Sequence, residues 1–548
     1  MATRADDREP QVAVELLKKY SRPIVHMRRQ LQQGRFGLVF GSGTSRDFKL
    51  PNWNELIERI AENPHVDGTE LLRRQAGKSQ SARTQMLFEH FQLKAQAAQP
   101  AIPSTFIEPE IRRRWREIVH TALYRDFRDA DRLDGVHPYL GEFLPIIRQT
   151  HLTVNYNFDD VVERLLYETR PEEQRDSGRG YETVWSATLQ FRQANAIIYH
   201  PNGYMPYRVA DGPSAEFVFS EDAFADQLIE TMGGHYSTLL HHLAKSTCLF
   251  IGLSLEDVTL RHLLRQTARL YPGHYHYLVA YVPDGEPPSS DEVAAVTLAN
   301  FRVYNLITLF LTSAQTGALA ELLRMREERF IELAQENGIN TRFLYYVTGV
   351  PGIGKTSCVL RCLSLVSYDE WFDPRLPILA KGVDELTAEE IPQADLWLAR
   401  QFALKNRRLV REREGMLVID RSPLDPISFT PDDEWRAKAR FLRHAIAMGQ
   451  SGLTVQAGHV VLLVGDEDVI ARRLQASHKY SWGKPALLAR LQAKLQKVYA
   501  CDGVTMIDIR GLNEHQVTRL VSHIIHLEEY KPADLQQRLL DILDRGYS

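Results

Sequence analysis

At 548 residues the chain is too long for one hydrophobic core and is expected to divide into two or three units. Hydrophobic residues make up 44% and charged residues 25%, an ordinary globular balance, and the net charge of −4 lacks the basic excess of a nucleic-acid-binding surface. Four scattered cysteines exclude a disulfide framework, and neither a signal peptide nor a run of ~20 apolar residues is present, so the expected location is cytoplasmic, with no membrane partner.

Residues 11–33 read as a helix broken near Pro23. The apolar run Phe36–Phe40, the glycines of GSGTS (Gly41–Ser45) and a helical pattern from Trp53 make a strand, a turn and a helix, the opening of a dinucleotide-binding unit. Residues 65–130 read as polar helix, and the basic run Ile111–Val119 as a solvated helix face. Strand-like runs recur at His151–Val154, Ala196–Tyr199, Cys248–Leu253, Tyr275–Val282 and Phe301–Ile307. Helical patterns between them imply a parallel sheet covered on both faces. An amphipathic helix over 314–337, ended by Gly338, is the expected link. A second series follows at Phe343–Gly349, Gly415–Asp420, His459–Val464 and Val504–Ile509. The expected division is therefore 1–311, a helical linker 312–341, and 342–548.

Gly349-Val-Pro-Gly352-Ile-Gly354-Lys355-Thr356 matches the phosphate-binding pattern G-x-x-x-x-G-K-[ST], between an apolar strand and a helix expected over Ser357–Val366. Glycines let successive N–H groups converge on phosphates, lysine neutralises charge, and the threonine hydroxyl ligates Mg²⁺. Gly349, Gly352, Gly354, Lys355, Thr356 and Ser357 are the candidate nucleotide-binding residues, with Thr356 also the candidate Mg²⁺ ligand.

Downstream, MLVIDRSPLDP (Met416–Pro426) and VVLLVGDEDVIARRLQ (Val460–Gln475) resemble segments of the nucleoside and nucleotide monophosphate kinase group of P-loop proteins. The resemblance implies a P-loop kinase-like parallel sheet with helices on both faces. Asp420 would act near Mg²⁺ or a substrate hydroxyl, and Arg421 would hold phosphate. Arg472 and Arg473 would belong to a lid, with His478 and Lys479 just beyond. Between the loop and Asp420 no acceptor-binding acidic residue stands out.

In the first half, GSGTS with LPNWNELI, VNYNFDDVVE, IYHPNG (Ile198–Gly203), VFSEDAF and FIGLSLED (Phe250–Asp257) together resemble the prokaryotic sirtuin-like domain of defence proteins. The resemblance implies a Rossmann-like parallel sheet with helical insertions. Gly41 and Gly43 would turn their N–H groups to a pyrophosphate, and Ser42, Ser45, Asp159, Gly252, Ser254 and Asp257 would complete an NAD site. Asn157 would hold the nicotinamide ribose or a water, with Asn155 as the fallback. A histidine just before a glycine serves as base in that family. Here the residue before Gly203 is Asn202, and His200, two places earlier, takes the expected catalytic role.

The reading is an α/β anti-phage effector that hydrolyses NAD to nicotinamide and ADP-ribose, under control of a purine or pyrimidine nucleotide (ATP with Mg²⁺) bound at the second half. A phage-derived trigger, a companion protein and homo-oligomerisation are expected partners in that control. The alternative is a nucleoside or nucleotide kinase whose first half senses NAD.

Overall fold

The computed structural model describes residues 9–98, 104–128, 138–170, 180–185, 192–208, 217–232, 236–447 and 454–546. Most of the charged opening segment MATRADDREP lies outside these ranges. The chain forms two compact units, each built on an all-parallel sheet. The first comprises residues 1–16, 30–270 and 275–325, and the second 17–29, 271–274 and 326–548. Two short segments of the first half, 17–29 and 271–274, therefore belong to the second unit, outside the expected linear division.

The sheet of the first unit has seven strands: β1 (Phe36–Phe40), β2 (Leu152–Asn155), β3 (Glu182–Val184), β4 (Ile197–Tyr199), β5 (Thr247–Ile251), β6 (His276–Tyr281) and β7 (Leu306–Leu311). Their order is β3-β4-β2-β1-β5-β6-β7. β1 is fully buried between β2 and β5, which suits its uninterrupted FGLVF run. The apolar core gathers around Val39, Val154, Tyr199, Phe250 and Leu264. The sheet of the second unit has five strands: β8 (Arg342–Thr348), β9 (Val366–Tyr368), β10 (Gly415–Asp420), β11 (His459–Val464) and β12 (Val504–Asp508), ordered β12-β11-β8-β10-β9.

Three local expectations change. Phe301–Tyr304 finish a helix (Ser290–Tyr304) instead of starting a strand, because Asn305 adopts the left-handed conformation (φ 54°) that ends helices. The linker is two helices, Ser313–Arg324 and Glu327–Glu336, interrupted by extended backbone at Met325 and Arg326. The helix after the phosphate loop stops at Arg361, and the residues beyond it supply β9. The N-terminal helix Glu9–Gln32 breaks at Tyr20, three residues before Pro23, whose ring crowds the preceding turn. The basic run lies within the helix Ser104–Tyr124, where Arg112, Arg113 and Arg114 pair with Glu108, Glu110 and Glu117 on the exposed face of the same helix. Among the described residues no helix is long and apolar enough to cross a membrane.

Candidate functional site

In the first unit the chain leaves β1 into a glycine turn that packs backbone to backbone against the turn after β5. A Cβ on Gly43 would lie 2.7 Å from the Gly252 Cα, and one on Gly41 2.6 Å from the Gly252 carbonyl oxygen. Gly252 has φ 71°, and its own Cβ would lie 2.6 Å from the Thr44 nitrogen. Only glycine fits that position. The Gly41 N–H donates to the Ile251 carbonyl and the Gly43 N–H to the Gly252 carbonyl, both at 3.0 Å. These amides join two turns, which corrects the expectation that they face a pyrophosphate.

Asn157 follows β2 and reaches the same turn. Its amide Nδ2 donates to the Gly41 carbonyl (3.0 Å), Thr44 Oγ1 (3.3 Å) and Ser45 Oγ (3.2 Å). Its Oδ1 is buried without a hydrogen-bond partner among the described residues. Ser45 Oγ in turn donates to both carboxylate oxygens of Asp159, at 3.1 and 3.0 Å. Burial pushes Asp159 up to about 6, despite the N–H of Val161 and the Ser45 hydroxyl. Asn155 keeps its side chain local, accepting the Asn157 N–H at 3.1 Å. Ser42 is half-buried beside the turn, and Ser254 is exposed beyond Gly252.

His200 meets this group only through the Asn157 backbone. It is fully buried, with Nδ1 2.8 Å from the Asn157 carbonyl and Nε2 2.8 Å from Glu163 Oε1. Burial alone would lower its pKa, but the Glu163 carboxylate raises it above the ordinary value. With both ring nitrogens engaged, His200 braces β4 against the helix Val161–Glu168 and is not placed to deprotonate a ligand. Asn202, two residues on, turns the other way. Its Nδ2 donates to Asp257 Oδ2 (3.3 Å), and its Oδ1 accepts from Gln227. Asp257 caps the helix Val258–Leu270 through the Leu260 N–H (2.7 Å), is partly accessible, and is raised in pKa by burial. The turn between His200 and Asn202 is closed by the Gly203 N–H onto the His200 carbonyl, with Gly203 at φ 104°.

Gly41–Ser45, Asn157–Asp159 and Gly252–Asp257 thus follow the carboxyl ends of β1, β2 and β5. There the strand order reverses, the crevice in which doubly wound sheets hold ligands. The family model of the SIR2-like domain matches residues 151–304. That is less than half of the chain, it starts after β1, and it points to NAD-related activity. No curated protein matches the chain.

In the second unit the loop after β8 carries left-handed or extended-positive φ at Gly349 (148°), Gly352 (78°) and Gly354 (111°). Lys355 Nζ donates to the carbonyls of Gly349 and Val350, each at 2.9 Å. Burial and then Arg421 bring its pKa down to about 8. Thr356 Oγ1 donates to Asp420 Oδ2 at 2.6 Å, at the end of β10, while Asp420 Oδ1 is buried without a partner among the described residues. That hydroxyl–carboxylate pair is an all-oxygen set that suits Mg²⁺. Ser357 is half-buried in the same wall.

Arg421, left-handed at φ 70°, bonds Glu370 and lies 3.6 Å from Asp425. Thr348 and Tyr499 donate to Asp425, each at 2.6 Å, and Lys405 donates to the Asp420 carbonyl at 2.6 Å. Arg421 and Asp425 border a cavity of about 1020 Å³ that the phosphate loop shares with Glu370, Trp371 and Phe402. Arg472 and Arg473 do not line it: both are exposed, and Arg472 bonds the Asp468 carbonyl of its own helix. Lys479 does line it. Sequence reasoning passed over Glu370, because the expected helix over Ser357–Val366 hid the short strand β9 that carries the chain to it.

Proposed function

We propose that the first unit binds NAD and cleaves the bond between nicotinamide and ribose, and that nucleotide binding in the second unit governs this cleavage, as an anti-phage effector working by NAD depletion. The observation that carries the reading is the gathering of Asn157, the Gly41–Gly252 backbone contact and the Asn202–Asp257 pair around one reversal of strand order. One polar atom there suits a dinucleotide: Asn157 Oδ1, without a hydrogen-bond partner among the described residues, is an acceptor for a ribose hydroxyl.

Loss of nicotinamide leaves positive charge on the ribose, so a carboxylate near that carbon lowers the barrier. Asp257 takes this part in place of His200. The glycosidic C–N bond breaks with its electron pair leaving on nicotinamide, a water oxygen bonds the ribose carbon, and the water proton passes to the Asp257 carboxylate. In the second unit, Lys355, Thr356 and Asp420 hold a nucleoside triphosphate with Mg²⁺, which neutralises phosphate charge when bound.

A second reading rests on Asn202 itself. With asparagine where the resemblance expects the base, NAD is held but not cut, and phosphoryl transfer in the second unit is the working chemistry. Chromatographic measurement of NAD loss by the full chain, with and without a panel of ATP, GTP and deoxynucleotides, separates the two. Nucleotide-triggered release of nicotinamide, lost in Asp257→Asn, supports the first. NAD binding by calorimetry without any release supports the second.

A further inference from the structure

Lys405 lies outside the set of residues that hold the triphosphate. The helix Glu390–Arg411 carries it to the end of β10, where it is 3% exposed and does not line the cavity. Its Nζ donates to the Asp420 carbonyl at 2.6 Å and stands 5.8 and 5.7 Å from the ring centres of Trp371 and Phe402. Among the described residues it forms no salt bridge. A buried ammonium without one costs folding free energy. The charges of Asp420, Glu370 and Asp425 nearby offset that cost.

Around Asp420 the cations outnumber the carboxylates. Among the described residues Lys355, Arg375, Lys405 and Arg421 face Glu370, Asp420 and Asp425. Arg421 is committed to Glu370 and Asp425, while Arg375 donates to the Leu379 carbonyl and faces Glu370. Lys355 and Lys405 are left as the counter-charges of Asp420. Elsewhere on the cavity wall Lys381, Lys438, Arg490 and Lys494 each pair with a carboxylate, and exposed Lys479 and Glu434 have opposite signs. A free divalent cation approaching Asp420 therefore meets net positive charge. A Mg²⁺–triphosphate complex brings negative charge of its own, which Lys355 on the loop can meet.

We infer that Lys405 is a positioning residue, a permanent counter-charge behind the Asp420 carboxylate that keeps the second unit from holding Mg²⁺ unless a triphosphate comes with it. The inference rests on the reading that Thr356 and Asp420 hold Mg²⁺ with a triphosphate. Its basis is competition: a fixed positive charge hydrogen-bonded to the Asp420 backbone weakens the hold of that residue's carboxylate on any second cation. The hydrogen bond also fixes the end of β10, where the carboxylate leaves the strand. Occupancy of the site then follows the nucleotide and is indifferent to free metal, which suits a unit that reports nucleotide.

The experiment titrates the full chain at pH 7 with Mn²⁺ in place of Mg²⁺ and without nucleotide, reading free Mn²⁺ by electron paramagnetic resonance. Binding of ATP and GTP with Mg²⁺ is followed separately by calorimetry. Lys405→Gln keeps an N–H for the Asp420 carbonyl and removes the charge. It is expected to bind Mn²⁺ about 10-fold or more tightly than the parent, and to lose that gain when combined with Asp420→Asn. Lys405→Arg keeps the charge and stays with the parent. A damaged fold loosens ligands, so a gain in affinity separates this role from a structural one. If glutamine is not tolerated, Lys405→Met, whose flexible apolar chain suits the two rings, gives the same reading. A parent that holds Mn²⁺ as tightly as the uncharged variants, or a gain that survives Asp420→Asn, overturns the inference while triphosphate binding stands. Absence of triphosphate binding overturns both.

Discussion

The Asn202 amide donates to the Asp257 carboxylate at 3.3 Å, while His200, two residues before, is locked between Glu163 and the Asn157 carbonyl. Beside the reversal of strand order stands a carboxylate steadied by an amide, while the imidazole has both ring nitrogens engaged within the fold. The two positions carry different predictions.

Asp257→Asn is expected to lower nucleotide-triggered NAD consumption by about 10²-fold or more, since it removes the charge facing the ribose. Asparagine still accepts the Leu260 N–H and so keeps the helix cap. Initial rates at saturating NAD decide the matter: an unchanged rate rules out Asp257 as the group that meets the developing charge.

His200→Ala is expected to act through stability. Removing one partner of a fully buried charged pair costs about 3–5 kcal/mol, seen as a lower unfolding midpoint in urea. If His200→Ala folds as well as the parent and abolishes NAD loss, the imidazole is catalytic after all.

Stability of the first unit is expected to fall as pH rises from about 4 to 8. Asp159 is pushed up to about 6 by burial, and Asp160 up to about 7 by burial and then by Glu163. An acid with a raised folded pKa binds its proton more tightly folded than unfolded, so its contribution is lost across that interval. His200, raised above its ordinary value, stabilises fully below about 6.5 and loses that contribution as pH climbs through its folded pKa. All three therefore have the same sign. Thermal melts at closely spaced pH should show the decline, and Asp160→Asn should flatten its acidic half; a midpoint that rises over this range contradicts the assignment.

Gly252→Ala is expected to cost about 1–2 kcal/mol for the left-handed backbone alone, with a further penalty from a Cβ 2.6 Å from the Thr44 nitrogen. Melting temperature and NAD affinity should drop together, because the turn that holds Asn157 would be displaced. Affinity that survives intact would separate ligand binding from this backbone contact.

In the second unit, Lys355→Ala is expected to weaken triphosphate binding by roughly 10- to 100-fold, the worth of a charge-assisted hydrogen bond. Parent affinity should fall as pH rises through about 8, where the free lysine loses its proton. Lys479→Ala should also weaken binding, whereas the exposed pair Arg472→Ala and Arg473→Ala should stay within about twofold of the parent. Equal losses in both experiments would restore a lid role to the two arginines.

Much of this was legible locally. The glycine spacing at Gly349–Thr356 and the apolar runs at Phe36–Phe40 and Cys248–Leu253 placed strands, turns and helices in order, because backbone torsion and side-chain periodicity are short-range properties. The β7 boundary was misplaced because a single left-handed Asn305 outweighed the apolar run before it.

What the amino-acid order determined by itself was the alternation of strand and helix, the phosphate loop, and the set of polar residues at strand ends. The tertiary structure decided which of them meet. Glu370 and Arg421 join across 51 positions through the pairing of β9 with β10, and Asn202 rather than His200 turns to Asp257 across 55 because the turn at Gly203 breaks the strand's two-residue alternation. Contacts of that separation depend on how strands are ordered in the sheet, and no local pattern of residues encodes that order.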